Sequence, residues 1–203
     1  MSDADFRTTD LHSLLDRVRF GEEDARDAIY RRISGRLEAL CRKMLRKQPS
    51  VRQFEETADV MQNVAIRLLR TLESARPGSI RELYSLAAEL VRCEILDLLR
   101  HHLALRRRPS DGQRAVNYKP EAVAEEANSE ELDRWHAFHE QVASFSTFER
   151  EVFGLAYYHG WSQQEIADLF QVNERTIRRH WHAACLSLKR ELGDRMPSTS
   201  PTE

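Results

Sequence analysis

Seven glycines and six prolines among 203 residues leave the chain poor in turn-formers, and alternating β-branched runs are few. That scarcity excludes a sandwich or barrel built of many short strands and points to an all-α fold. Cysteine is scarce too: Cys41, Cys93 and Cys185 stand apart, odd in number and without a CxxC pair. A disulfide framework and a zinc site are thereby excluded, and the three read as buried small hydrophobes. No apolar run approaches the ~20 residues of a membrane span. The opening MSDADFRTTD is acidic and polar, unlike a signal peptide, so a cytoplasmic protein without a membrane partner is expected. A glycine-rich phosphate loop, a nucleophile elbow and a catalytic constellation are all missing, so neither an enzyme nor a cofactor is expected. His136 with His139, and His180 with His182, lack a third ligand at metal spacing, so no metal is expected.

A basic excess is also absent. Lysine and arginine number 31 against 33 acidic residues, a formal charge of −2. A protein that grips DNA unaided usually gains affinity by releasing counterions from phosphates, which needs net positive charge. Any contact with nucleic acid would therefore have to be shared with a larger partner.

What the chain does have is concentrated between Trp161 and Leu192. Ser162 with Glu165 makes a capping box, and Ile166 and Leu169 follow on one helical face. After a short break at Phe170-Gln171-Val172, Asn173 is a second N-cap, followed by Ile177, Trp181, Ala184 and Leu188 at helical spacing. Two capped helices around a tight turn read as a helix-turn-helix. The second helix shows Glu174, Arg175, Thr176, Arg178 and Arg179 in its first two turns, where a recognition helix meets base edges and phosphates. From Asn173 to Arg190 the only acidic residue is Glu174, against Arg175, Arg178, Arg179, Lys189 and Arg190. A charged bundle surface is the bland alternative.

Upstream, Leu11 to Phe20 and about Glu23 to Lys47 read as two helices. Arg26, Arg31, Arg32, Arg36, Arg42 and Arg46 form a solvated face of the second. Residues 54–74 form a third, with Val60, Val64, Leu68 and Leu72 inward and Gln62, Asn63, Ile66 and Arg67 on or near the open side, a face suited to docking a protein. Ser79 and Glu82 cap a fourth, with Leu83, Leu86, Leu90 and Ile95 inward. Arg81, Tyr84, Arg92, Arg100 and His101 are expected outward, where cations beside an aromatic ring suit single-stranded DNA. Residues 103–131 lose periodicity, and their charge changes from basic to acidic, which marks a flexible linker. The expected organisation is two small helical domains, 1–102 and 132–192, joined by that linker and followed by a disordered tail, 193–203.

TADVMQNVAIRLLRTL and LYSLAAELVRCEILDLLRHH together resemble region 2 of the bacterial sigma-70 factors of extracytoplasmic-function (ECF) type. FEREVFGLAYYHGWSQQEIADLFQVNERTIRRHWHAACLSL resembles their region 4, and the likeness covers about residues 8 to 192. The resemblance implies a promoter-specificity subunit whose partners are core RNA polymerase and promoter DNA. It implies that Glu56, Asp59, Gln62 and Asn63 dock on the polymerase. Arg76, Arg81, Tyr84 and Arg92 would handle the unpaired −10 strand, and Glu174, Arg175, Thr176, Arg178 and Arg179 would read the −35 duplex.

The family's acidic run before the docking helix reads Glu56-Thr57-Ala58-Asp59 here. Thr57 is either an N-cap or a phosphoacceptor, where a phosphate would restore negative charge at a helix N-terminus. A Ser/Thr kinase or an anti-sigma factor is thus a further expected partner. A stand-alone dimeric helix-turn-helix regulator is the alternative within DNA binding, and an adaptor that only sequesters polymerase is a third.

Overall fold

The computed structural model describes residues 3–46, 57–106 and 120–197. Helix α1 spans Asp3–Arg19 and α2 spans Glu23–Arg46. They meet at a tight turn where Gly21 takes φ +86°, a left-handed conformation that glycine adopts without steric cost. Helix α3 runs Thr57–Ala75 and α4 Ile80–Arg106. These four helices pack through the stripes that their spacing anticipates: Ile29, Ile33, Leu37, Val64, Leu68, Leu72, Leu83 and Ile95 are all sealed from solvent. Truncating one such leucine to alanine costs ~2–5 kcal/mol, set by how far the cavity collapses.

The second half begins with α5, Pro120–Ala143. The acidic stretch expected to be linker is therefore helical from Pro120 onward, and α4 continues past residue 102 to Arg106. Propensity explains this better than periodicity does. Alanine and glutamate, which fill EAVAEEANSEE, are among the best helix formers, and proline at the first helical position has a fixed φ that suits it. The basic part of the expected linker, residues 107–119, lies outside the described residues, as do 198–203 of the expected tail. Leu192 is followed by a 3-10 turn, Gly193–Arg195, and Met196 packs against the core.

Helix α6, Thr147–Phe153, continues into one wide π-helical turn, Gly154–Tyr158. That turn sets Tyr157 5.3 Å from Phe138 and Tyr158 6.1 Å from His139, ring centre to ring centre. Gly160, φ +70°, closes it: the amide of Trp161 reaches back to the Leu155 carbonyl and that of Gly160 to Ala156. Helices α7, Gln163–Phe170, and α8, Glu174–Leu192, complete the chain. Phe153 is the hub of this half, with Phe145, Tyr157 and Trp181 rings 5.1 to 5.6 Å away.

The two halves share one continuous apolar core. Helix α4 packs along α5, along the π turn and against α7, and α2 also touches the π turn. Among the described residues there is no strand, and no helix is long and apolar enough to cross a membrane.

Candidate nucleic-acid interface

Local sequence sets the α7–α8 geometry. Ser162 accepts from the Glu165 amide while the Glu165 carboxylate accepts from the Ser162 amide at 2.8 Å, a complete capping box. Those bonds from the Ser162 amide and hydroxyl hold the Glu165 carboxyl below its ordinary pKa. Gln171 turns the chain with φ 54° and ψ 43°. Asn173 then caps α8, its side chain accepting from the Arg175 amide at 2.8 Å. Ile177, Ala184 and Leu188 are buried, so the opposite stripe must face outward.

On that stripe Arg175, Arg178 and Arg179 are exposed. With Asn173, Thr176 and His182 they line an open concavity of about 670 Å³. Glu174 is half-buried and stands outside this lining. His182, read in the sequence only as half of a metal-less histidine pair, belongs to the same stripe. Its place seven residues after Arg175 is the signal that could have found it.

The face of α3 is also accessible. Asp59, Gln62 and Asn63 are exposed, as is Ile66 at 41%. Asn63 donates to the buried carboxylate of Glu94 at 2.8 Å, and Arg67 bridges Glu94 and Asp97 at 3.1 and 2.7 Å. The hydrogen bond to Asp97, with both nearby carboxylates, raises the Arg67 pKa. Glu94, which periodicity did not single out, thus ties α3 to α4. Thr57 is half-buried and is the first residue of α3, one step inside the N-cap position expected for it. Glu56 lies outside the described residues.

The residues expected to handle single-stranded DNA are brought together less simply. Arg76 is exposed in the loop after α3, at φ 43°. Tyr84 and Arg92, expected outward, are buried, at 6% and 5%. The reason is the second half of the chain, which covers this face of α4. Arg81 donates to Glu151 from Nε at 3.0 Å, pairs with it again through Nη2, and lies 3.9 Å from the centre of the Phe170 ring. Arg92 donates to the His139 carbonyl at 3.0 Å and pairs with Glu89. Burial opposes the charge of Arg92, but the Glu89 hydrogen bond and carboxylate outweigh it, so its pKa rises.

Tyr84 sits among rings from both halves. Trp161 and His159 approach it edge-on at 5.0 and 5.6 Å, and the Arg36 guanidinium lies over it at 5.4 Å. Burial pushes the Tyr84 hydroxyl pKa up, partly offset by Arg36 and Arg32. His159 donates from Nε2 to the Tyr84 carbonyl at 3.0 Å, and burial lowers its pKa to about 4 despite that bond. Arg36, read in the sequence as solvated surface, is therefore part of this cluster.

Among the cysteines only Cys41 is fully buried, its thiol pKa pushed up to about 12; Cys93 and Cys185 are half-exposed, short of the burial expected. An exposed basic face on α8 behind a capped turn and an open polar face on α3 are both accessible here, while the cation-and-aromatic cluster on α4 is covered by the second half. A family model described as ECF sigma factor matches residues 8–194. No curated protein matches the chain.

Proposed function

The chain belongs to the ECF sigma factors, and from that membership we propose how its surfaces divide the work of directing transcription initiation with core RNA polymerase on promoter DNA. Helix α8 reads the −35 duplex through Arg175, Thr176, Arg178 and Arg179, with Glu174 at its start. The observation that carries this is the exposed arginine stripe around the concavity of α8, opposite a fully buried apolar stripe. Asp59, Gln62 and Asn63 on α3, with Glu56 before it, dock on the polymerase. Arg76, Arg81, Tyr84 and Arg92 hold the unpaired −10 strand once the second half withdraws from α4, cations tracking phosphate and the ring stacking a base.

Control by a Ser/Thr kinase acting at Thr57 is part of the same reading, beside an anti-sigma factor as the other candidate partner. The family's acidic run lacks one carboxylate here, and Thr57 lies in the first turn of α3. A phosphate there adds ~−1.5 to −2 charges at the positive end of a helix dipole.

Run-off transcription with purified core RNA polymerase and genomic promoter fragments tests the assignment. Specific transcripts that vanish with Asp59→Ala and with Arg178→Ala are the expected result. Transcripts that survive both substitutions would remove both surfaces from the mechanism. Thr57→Ala is expected to abolish activity in cells and Thr57→Glu to restore it; full activity of Thr57→Ala would end the kinase reading.

A further inference from the structure

Around Tyr84 the molecule has assembled what a single-stranded base would need, and has filled it with its own side chain. The Arg36 guanidinium lies 5.4 Å from the centre of the Tyr84 ring and 5.6 Å from that of Trp161. Trp161 is 5.0 Å from Tyr84, its ring inclined at 63°. Beside this group opens a cleft of about 350 Å³ lined by Arg36, Lys43, His159 and Glu165 among others. Lys43 spends its ammonium on a neutral acceptor, the Tyr157 carbonyl at 2.7 Å, and burial lowers its pKa.

We infer that Arg36, Tyr84 and Lys43 form a binding site for one unpaired nucleotide, and that Trp161 occupies it in the free protein as a built-in substitute for the base. This rests on reading α4 as the strand-capturing face and adds to it two residues of α2 and a competitor. An indole is a flat bicyclic π system of about purine size, and cations favour its face as they favour that of a base. Tyr84 offers the stacking ring, Arg36 the cation beside it, and Lys43 a second positive charge along the cleft for phosphate.

The two occupants exclude each other. Tyr84 is only 6% exposed while Trp161 and His159 lie against it, so a base reaches the ring only when the Trp161 loop leaves. Because that loop is tethered, its effective concentration is of millimolar order, so at equal intrinsic affinity a free strand at micromolar concentration is outcompeted. The −35 surface escapes this control: Arg175, Arg178 and Arg179 stay exposed in the same closed arrangement. Duplex recognition can thus precede strand capture.

The test measures binding of a fluorescein-labelled, mixed-sequence 12-nucleotide DNA single strand to the full chain by anisotropy. Trp161→Ala is expected to tighten binding tenfold or more, and adding Tyr84→Ala or Arg36→Ala to return it to the wild-type level. Gly154→Leu provides a second way to open the seam that leaves Arg36, Tyr84, Lys43 and Trp161 themselves unaltered. A Cβ at Gly154 would already come within 3.3 Å of the Ala88 Cβ, so a larger side chain forces the π turn from α4. It too is expected to tighten single-strand binding.

Hydrogen exchange along α4 reports opening independently. Faster exchange in α4 with unchanged single-strand affinity would overturn the site. So would tightening that persists after Tyr84→Ala. Run-off transcription by the unaltered chain separates this idea from the family-based assignment. Transcription without a single-strand gain in Trp161→Ala would sink the substitute-base site alone; a gain without transcription would leave the site standing and sink the polymerase reading.

Discussion

The guanidinium of Arg81 rests 3.9 Å from the centre of the Phe170 ring, so a side chain of α4 is held by the last residue of α7. It is pinned again by Glu151 and lies 5.6 Å from Phe148. Contacts of this kind join the two halves more specifically than apolar burial does. A half-buried cation on an aromatic face contributes about 0.5–2 kcal/mol. Arg81→Ala is therefore expected to destabilise the chain by roughly 1–2 kcal/mol, with Glu151 left half-desolvated. Arg81→Lys should lose about half of that, since it keeps the charge but not the flat stack. Urea denaturation checks both. An unchanged midpoint in Arg81→Ala would mean that the seam does not depend on this contact.

Acid should loosen the same seam before it affects the carboxylates. His139 is fully buried, its Nδ1 3.1 Å from the Tyr158 hydroxyl, and burial with Arg92 and His136 nearby lowers its pKa to about 3. His159 lies lower than usual as well, at about 4, with burial the main cause and Arg36 and Lys43 facing it. In the unfolded chain both return to about 6.5. The unfolded state then binds more protons below that value, so stability is full above it and falls as pH drops from there toward 4. Each histidine adds a slope of ~1.4 kcal/mol per pH unit within that window. Denaturation midpoints should fall little between pH 7.5 and 6 and steeply between pH 6 and 5. His159→Gln, which keeps a donor for the Tyr84 carbonyl, should roughly halve the slope. A flat wild-type profile from 7.5 to 5 would refute this.

How legible these features were depended on the range of the interaction. Ser162 with Glu165 and Asn173 with Arg175 are contacts over two or three residues, and the caps stand where the residue types place them. The buried stripes of α2, α3 and α8 follow from helical spacing alone. Tyr84 and Arg92 were misplaced because their partners are far off in the chain. His159 meets the Tyr84 carbonyl 75 residues on, and Arg92 reaches the His139 carbonyl 47 residues on. Periodicity shows which side of α4 faces its own bundle, but not that a second half covers the other side. The helix from Pro120 was missed for a different reason: its propensity is high where its periodicity is weak.

The cap of α7 should matter in proportion to its bonds. Ser162→Ala removes the hydroxyl that the Glu165 amide donates to, at 3.2 Å, and the lesser of the two Ser162 hydrogen bonds that hold the Glu165 carboxyl pKa down. Loss of such a cap costs about 1 kcal/mol. Calorimetry should therefore show a melting temperature ~2–4 °C lower for a chain of this size. The Glu165 carboxyl, followed by NMR titration, should move back toward the ordinary glutamate range. No thermal shift, or an unmoved carboxyl, would mean that solvent replaces the box.

Helix α8, proposed above to read the −35 duplex, offers a separation of roles that salt can resolve. Arg175, Arg178 and Arg179 all line the concavity of α8, but a side chain that reads a base edge and one that neutralises a phosphate leave different signatures. Losing a phosphate contact weakens binding to every sequence and lowers the slope of log affinity against log salt by about one. Losing a base contact relaxes preference at one position and costs about 1–3 kcal/mol there. Arg175, in the first turn, where a recognition helix meets base edges, is expected to behave as the base reader, and Arg179 as a phosphate contact. Arg175→Ala in holoenzyme should therefore flatten discrimination among −35 variants, with the salt slope barely changed. Arg179→Ala should lower the slope and leave the ranking of variants intact. His182, farther along the same stripe, is expected to contact phosphate, so His182→Ala should weaken binding to every duplex variant alike. Competition anisotropy with a −35 library at four salt concentrations gives all three readouts. If Arg175→Ala lowers the slope while preserving the ranking, the assignment of base and phosphate is reversed.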